Sequence, residues 1–140
     1  MRALIDTNIL LDLLLERPVF VGMADAIWQA NVEGRFEGYI SAITPVNLFY
    51  IARRLRNLTA ANYVVSEVLK VFSICQLDGT LLRQAQSLSF KDYEDAVQCA
   101  SAIGAALDCI VTRNASDFVT APLPVLTPSE FLAQLESSAE

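Results

Sequence analysis

The first fifteen residues restrict the fold more than any other part of the sequence. An apolar run, Ala3-Leu4-Ile5, leads directly into the polar segment Asp6-Thr7-Asn8. An apolar run of this length, bounded by polar residues, is typical of a short strand that is buried on both faces. The segment from Ile9 to Leu15 then favours a helix, with Thr7 or Asn8 as its N-cap. We therefore expect Asp6 where a buried strand ends and a helix begins, which is the edge at which open α/β sheets bind ligands.

The same order of strand and helix recurs along the chain. Further strands are predicted at Gly38–Ile43, Val71–Leu77, Asp108–Thr112 and Pro124–Leu126. Helices are predicted to start near Phe20, at Thr44-Pro45, at Thr59, at Asp78, at Asp92 and at Thr127-Pro128. This alternation favours a single α/β domain, with a parallel sheet and helices on both of its faces. We expect the domain to span residues 1–136 and the tail, 137–140, to fray.

Composition limits the chemistry that the chain can perform. The sequence has no histidine, which excludes Ser-His-Asp triads, Cys-His pairs and the usual zinc sites. Its three cysteines lack CxxC spacing and lie in apolar segments, as buried reduced thiols do. Any catalysis would therefore depend on carboxylates, together with a hard cation such as Mg²⁺.

Charge and hydropathy bear on partners and location. The net charge of −6 argues against binding nucleic acid through bulk electrostatics, but it does not exclude a nuclease with an acidic metal site. The leucine-rich run near the N-terminus is interrupted by Asp6, Asn8 and Asp12, so it is too short and too polar to span a bilayer. We expect a soluble cytoplasmic protein with no membrane association.

The acidic residues are predicted to meet at one edge of the sheet. Helices in βαβ units run antiparallel to the strands, so every helix begins where the strands end. Asp6 ends the first strand, Asn47 lies in the first turn after the second, and Asp92 and Asp95 open the helix before the fourth. Asp117 follows the fourth strand.

Carboxylates at such an edge repel one another. Two unit charges about 5 Å apart cost about 3 kcal/mol at an effective dielectric constant of 20, and a proton or a cation must relieve this repulsion. Bound Mg²⁺ or Mn²⁺ would do so, which favours a metal-dependent phosphoryl-transfer hydrolase. The alternative for Asp92 and Asp95 is a structural one, since acids in a first turn suit the helix dipole.

Three segments resemble the PIN domains, in particular the VapC-like toxin ribonucleases of bacterial toxin–antitoxin pairs. These segments are Leu4-Ile5-Asp6-Thr7-Asn8-Ile9-Leu10, Asp92-Tyr93-Glu94-Asp95-Ala96 with Ala100 and Ala102, and Ile110-Val111-Thr112-Arg113-Asn114 with Asp117-Phe118. The resemblance implies a three-layer α/β/α sandwich with a central, mostly parallel five-stranded sheet. It also implies an endoribonuclease that depends on Mg²⁺ or Mn²⁺.

The resemblance also implies roles for individual residues. Asp6, Asp95 and Asp117 look like the metal ligands, and these three with Asn47 are the candidate catalytic residues. Supporting roles fall to Thr7, Asn8, Ser41, Asp92, Thr112 and Asn114. Candidate contacts to RNA phosphates are Arg53, Arg54, Arg56 and Arg113, although the first three could equally form a solvated helix face. The implied partners are an RNA substrate, a small antitoxin protein and a second copy of the chain, for which the apolar helix around Trp28 could provide the interface if it is not core.

Two departures from the family pattern leave alternatives open. Asn47 stands where the family usually has Glu, and Asn114 stands where many relatives have Asp. An amide keeps an oxygen ligand and removes a negative charge, so a catalytically weakened PIN fold that binds RNA or protein is the alternative function. A minor alternative is a haloacid-dehalogenase-type phosphatase with Asp6 as nucleophile, but Asn8 occupies the place where such sites need a second acid.

Overall fold

The computed structural model describes residues 1–139 and contains one parallel sheet. Its strands are β1 (Arg2–Ile5), β2 (Glu37–Ser41), β3 (Ser73–Cys75), β4 (Cys109–Val111) and β5 (Val125–Leu126). They lie in the order β3-β2-β1-β4-β5, and every neighbouring pair is parallel. The predicted five-stranded α/β architecture is confirmed, and the sheet is wholly parallel.

Helices connect the strands and cover the sheet. They are α1 (Thr7–Leu14), α2 (Val21–Val32), α3 (Thr44–Leu55), α4 (Leu58–Val71), α5 (Gly79–Ser87), α6 (Tyr93–Gly104) and α7 (Pro128–Ala139), with a 3₁₀ helix at Ala115–Phe118. None of the helices within residues 1–139 is long and apolar enough to cross a membrane. The segment 137–139, for which we expected fraying, continues α7, and Ser138 Oγ donates to the Gln134 carbonyl at 2.9 Å. Glu140 lies outside the described residues.

The central strands bury side chains on both faces, which produces three layers. Along β1, Ala3 and Ile5 join one core cluster while Leu4 joins another. Successive side chains of a strand point to opposite faces, so this alternation places apolar cores on both sides of the sheet. The first cluster packs against α1, α2, α3, α4 and α7, and the second against α6 and the 3₁₀ helix. A third cluster joins α5 to α6.

The cysteines lie in the packed interior, and Trp28 is partly buried against it. All three thiols are buried and unpaired, and burial raises the pKa of each to about 11, as expected for inert reduced cysteines. Trp28 packs edge-on against Phe72 with ring centroids 5.4 Å apart. The structure thus assigns the Trp28 side chain to core packing, and dimerisation remains a prediction.

Several element boundaries differ from those predicted. The strand predicted at Val71–Leu77 is shorter because Val71 completes α4 and Phe72 turns inward onto Trp28. The strand predicted at Gly38–Ile43 ends at Ser41. Helix α4 begins before Thr59, because Asn57 Oδ1 accepts a hydrogen bond from Ala60 N at 2.8 Å and so caps it.

The polar residues at the starts of α1 and α7 give one difference from the prediction and one agreement with it. The backbone of Asp6, rather than that of Thr7 or Asn8, occupies the N-cap of α1, and its side chain makes no capping hydrogen bond. At α7 the predicted Thr127-Pro128 start is confirmed. Thr127 Oγ1 accepts from Glu130 N at 3.2 Å and Glu130 Oε1 accepts from Thr127 N at 2.9 Å, which is a complete capping box.

Candidate functional site

Asp6 lies at the carboxyl edge of the sheet, between β1 and the first turn of α1. Its side chain is only 2% exposed. Oδ1 accepts from Gln98 Nε2 at 3.0 Å and Oδ2 accepts from Thr112 Oγ1 at 2.9 Å. Burial raises the pKa of Asp6, while these hydrogen bonds and the backbone amides of Thr7 and Asn8 stabilise the charged form. Both oxygens are already hydrogen-bonded, which disfavours the nucleophilic role of the phosphatase alternative.

Gln98 is the main positioning residue that sequence reasoning missed. It lies in the middle of α6 and is completely buried. Its Oε1 accepts from Thr7 N at 3.2 Å while its Nε2 donates to Asp6. One amide therefore fixes both the start of α1 and the orientation of the candidate ligand. A lone amide within a run of small and apolar residues was the signal in the sequence.

Asp92 and Asp95 lie at the start of α6, as predicted, but their side chains differ in exposure and in hydrogen bonding. Asp92 is exposed and caps the helix, since its Oδ1 accepts from Asp95 N at 3.0 Å. Asp95 is partly buried, and burial together with the neighbouring charges raises its pKa to about 7. Those neighbours are Asp92, Asp6, Asp117 and Glu94, in decreasing order of effect. Acids from three parts of the sequence thus interact at one edge of the sheet.

Glu94 was not among the predicted site residues, yet it faces the same edge. Burial raises its pKa, and the charges on Asp6 and Asp92 raise it further. Interactions with the Thr7 hydroxyl and the Asn47 amide act in the opposite direction. Its inclusion brings the interacting acids to five.

The start of α3 completes the site on the β2 side. Thr44 Oγ1 and Thr7 Oγ1 share a hydrogen bond of 3.1 Å, which joins the first turns of α3 and α1. Ser41 Oγ, at the end of β2, accepts from Ser101 Oγ at 3.2 Å. The Nδ2 atom of Asn47 is buried and has no hydrogen-bond partner among residues 1–139. A buried donor without a hydrogen-bond partner is rare in proteins, so this amide is an unusual feature of the site.

An open groove of about 530 Å³ runs beside the acids. Asp92, Asp95 and Asp117 line one part of it, and Phe90 and Lys91 line another. The 3₁₀ helix that carries Asp117 is held near the end of β4, where Thr112 Oγ1 accepts from Asn114 N at 3.0 Å. This hydrogen bond joins Asn114 to Thr112 beside the groove, and the supporting roles of both residues stay predictions.

The predicted arginines do not gather at the site. Arg53, Arg54 and Arg56 are exposed near the end of α3, and a rise of about 1.5 Å per residue places them about 9 Å or more beyond Asn47 along the helix axis. Arg113 is paired instead with Asp12, Nε to Oδ2 at 2.8 Å and Nη2 to Oδ1 at 3.2 Å. Its guanidinium also stacks 4.1 Å from the Phe20 ring centroid. Arg53, Arg54 and Arg56 thus lie away from the acids along α3, and Arg113 is engaged in packing.

The donors at this edge fit a hard divalent cation by their chemistry. They are carboxylate, amide and hydroxyl oxygens, which Mg²⁺ and Mn²⁺ prefer. The pKa of Asp95 is raised first by burial and then by the neighbouring negative charges, and a cation would relieve that repulsion. As they stand, no three acidic or thiol side chains within the described chain are close enough together to hold an ion. Charge repulsion between the acids acts over longer distances than metal coordination does. The acidic side chains would therefore have to rotate to bring their oxygens to one ion.

Comparison with known proteins identifies the fold. A family model described as the PIN domain matches residues 2–116. The chain belongs to the PIN-domain family. The chain matches VapBC2 from Rickettsia felis bound to a DNA fragment from its promoter with a TM-score of 0.72 and 16% identity, covering 91% of this chain and 98% of that one. No curated protein sequence matches it.

Two further solved structures carry the same PIN-domain fold. A toxin–antitoxin complex from Klebsiella pneumoniae matches with a TM-score of 0.66 and 29% identity, over 90% of this chain and 97% of that one. VapC20 from Mycobacterium tuberculosis, a toxin that cleaves the sarcin–ricin loop, matches with a TM-score of 0.65 and 16% identity, over 77% of this chain and 86% of that one. The PIN-like fold predicted from the three sequence segments is thereby confirmed.

Proposed function

We propose that this PIN domain is a divalent-metal-dependent endoribonuclease that acts as the toxin of a toxin–antitoxin pair. The observation that carries the proposal is the convergence of five acids on the carboxyl edge of the sheet, around a buried and hydrogen-bonded Asp6. The solved relatives include toxin–antitoxin complexes and an RNA-cleaving toxin, which supports an antitoxin partner and an RNA substrate for this chain.

Asp6, Asp95 and Asp117 are the residues that would hold Mg²⁺ or Mn²⁺. Such an ion activates water and neutralises charge on a phosphodiester in the transition state. Gln98 and Thr112 keep the Asp6 carboxylate in one orientation, so little reorganisation is needed on that side of the site. Asp95, whose pKa is about 7, would be ionised by a nearby cation and would then accept a hydrogen bond from water.

The groove beside the acids is the natural path for RNA. Lys91 lies on its wall and supplies a positive charge for phosphate, and Phe90 lies beside it. The negative charge of the whole chain opposes non-specific binding to RNA, so productive binding would depend on the groove and on the metal. Arg113 is not included, because its guanidinium is committed to Asp12.

The decisive experiment is RNA cleavage by purified protein with and without divalent ions. We expect cleavage with Mg²⁺ or Mn²⁺, its loss with EDTA, and its loss in Asp6→Asn with the thermal melt still cooperative. Asp25→Asn, which changes an exposed acid on α2, is the matched control and should cleave normally. Cleavage by Asp6→Asn at the wild-type rate would refute the metal mechanism.

A catalytically weakened PIN domain that binds RNA or protein is the second candidate. The observation that favours it is Asn47, which removes a charge from the site and has a buried Nδ2 with no hydrogen-bond partner among residues 1–139. Protein that binds RNA but cleaves none with either Mg²⁺ or Mn²⁺ would support this function. Growth arrest on expression in bacteria that is lost in Asp6→Asn would support the first. So would RNA cleavage by the purified protein that EDTA abolishes.

A further inference from the structure

Helix α3 begins at the candidate site and runs away from it. Thr44, in its first turn, shares a hydrogen bond of 3.1 Å with Thr7. Asn47 N donates to the Ile43 carbonyl at 3.0 Å and closes that turn. Helices of a parallel α/β sheet run antiparallel to the strands, so α3 leads from the carboxyl edge of the sheet towards the opposite edge. The exposed side of α3 is thus continuous with the site.

This exposed side carries an aromatic ring followed by two arginines. Asn47, Tyr50 and Arg54 are three and four residues apart, so they share one face of the helix, and Arg53 lies beside Arg54. The Tyr50 side chain is 60% exposed, and both arginines are exposed. A rise of about 1.5 Å per residue places Arg54 about 10 Å beyond Asn47 along the helix axis, which a few nucleotides span. Tyr50, Arg53 and Arg54 are called the α3 track below.

The Tyr50 ring is held by its neighbour in the sequence. Its centroid lies 5.1 Å from that of the Phe49 ring, and the two planes are 83° apart. Phe49 is partly buried and packs against the main core cluster. An exposed ring that is fixed in this way offers a surface on which a nucleobase can stack, and little freedom is lost on binding.

The two arginines of the α3 track have no acidic partner. Neither Arg53 nor Arg54 forms an ion pair within residues 1–139. The sequence has 16 acidic residues, yet none lies between Glu37 and Glu67. The hairpin of α3 and α4 is therefore a positively charged region of a chain whose net charge is −6. Guanidinium groups without an ion-pair partner are suited to binding phosphates.

We propose that the α3 track is a second RNA-binding segment, in which Tyr50 stacks on a base and Arg53 and Arg54 bind phosphates. The RNA substrate itself rests on the proposed function. An acidic peptide would pair with the arginines and leave the stacking surface unused, whereas a polynucleotide uses both. Arg56 is left out, because its guanidinium donates to the Leu15 carbonyl at 3.4 Å.

The sheet order places the α3 track and the groove on different sides of Asp6. Helix α3 follows β2 and the 3₁₀ helix follows β4, while β1, which ends at Asp6, lies between these two strands. The groove that Asp117 lines is on the β4 side. RNA bound in the groove would therefore pass the acids and continue along α3, so that protein contacts hold it on both sides of the cleaved bond.

The direct test is RNA binding without cleavage. Fluorescence anisotropy of a short labelled single-stranded RNA is measured in EDTA at several salt concentrations. The double variant Arg53→Gln with Arg54→Gln should lower the salt slope of the affinity by about 1.4, since each phosphate contact to a single strand contributes about 0.7. Tyr50→Leu should weaken binding roughly 5- to 100-fold, and Tyr50→Phe, which keeps the ring, should bind as wild type does.

The matched control is Arg35→Gln. Arg35 is exposed and precedes β2, so it lies at the opposite edge of the sheet, and its substitution removes the same charge. It should leave both the affinity and the salt slope close to those of wild type. All of these positions are exposed, so the variants should melt with wild type.

Cleavage kinetics give a second readout. The α3 track binds RNA away from the reacting phosphate, so its variants should raise KM and leave kcat unchanged. An RNA trimmed until it no longer reaches the track should be cleaved equally by wild type and by the double variant.

The outcomes separate this inference from the proposed function. Wild-type affinity and salt slope in the double variant would refute the α3 track, whether or not wild type cleaves RNA. Weaker binding by the variants of a protein that cleaves nothing with Mg²⁺ or Mn²⁺ would refute the ribonuclease and support the track. Loss of polyglutamate binding with unchanged RNA binding would assign the arginines to an acidic protein instead. A wild-type dimer that Tyr50→Leu converts to a monomer in sedimentation would show that a second copy covers the ring, and would overturn the inference.

Discussion

At the scale of single residues, Gln98 links the Asp6 side chain to the backbone at the start of α1. Its amide contacts Asp6 and the start of α1, and it is 0% exposed. In Gln98→Leu the buried Asp6 loses a donor and Thr7 N loses its acceptor, at a cost of about 1–3 kcal/mol. We expect a lower melting temperature and weaker RNA cleavage. Gln86→Leu, at an exposed position of α5, should change stability by less than about 0.5 kcal/mol. Equal stability of the two variants would contradict the role given to Gln98.

Arg113 should behave as a packing residue rather than as an RNA ligand. It forms a two-point ion pair with Asp12, whose side chain is buried at 1% exposure. Removing one partner of a buried pair leaves an uncompensated charge and costs about 3 kcal/mol, although Arg17 also approaches Asp12 at 3.4 Å and reduces this cost. We expect urea unfolding to show a large loss for Arg113→Met and none for the exposed Arg53→Met. Unchanged stability with weaker RNA binding in Arg113→Met would restore it as an RNA ligand.

At the scale of secondary-structure elements, the start of α4 gives a direct comparison of two caps. The sequence suggested Thr59, whereas Asn57 accepts the capping hydrogen bond. Asn57→Ala should cost about 1 kcal/mol, and Thr59→Ala should cost less than about 0.5 kcal/mol because Thr59 is an exposed residue within the helix. Chemical unfolding of both variants measures the difference. A larger loss for Thr59→Ala would move the helix start back to the predicted residue.

Helix α6 shows what the sequence could and could not predict about the site. Its first turn was predicted correctly, because strand ends and helix starts meet at one edge of a parallel sheet. The distribution of roles within that turn was not, since Asp92 is used as a cap and Glu94 faces Thr7. Which face of a helix meets the sheet depends on packing along its whole length, and spacing alone does not define it. In α6, Cys99 and Ala102 pack with residues of the strands, whereas Ala96 and Ala100 pack against α5.

At the scale of the whole molecule, the order of elements was predictable and their lengths were less so. Apolar runs such as Ala3–Ile5 favour buried strands, and their alternation with helices favours a parallel sheet, as the structure has it. The end of α4 was missed because Val71 and Phe72 look like strand residues, and only contact with Trp28 from a distant helix decides their state. The ion pair of Arg113 was missed for the same reason, since Asp12 and Arg113 are distant in sequence and meet only in the fold.

The acids at the sheet edge should control how stability depends on pH. The pKa of Asp95 is raised to about 7, and the pKa values of Asp6 and Glu94 are raised as well, chiefly by burial. A carboxyl group whose pKa is higher in the folded state stabilises that state when protonated, so its contribution is complete below about pH 4 and is lost as the pH rises through about 7. In EDTA we therefore expect the melting temperature of wild type to fall more steeply over this range than that of Asp95→Asn.

Divalent ions should reverse this trend. Binding needs ionised carboxylates, so Mn²⁺ should stabilise the protein increasingly between pH 5 and pH 7.5, by about 2.7 kcal/mol at a concentration one hundred times its Kd. The measurement is a set of melts across pH with EDTA or Mn²⁺. Asp25→Asn should follow wild type in both series, and Asp95→Asn should show both a shallower slope and a weaker response. A wild-type slope no steeper than that of Asp95→Asn would mean that the repulsion at this edge is relieved without a cation, and the electrostatic argument for a metal site would fail with it.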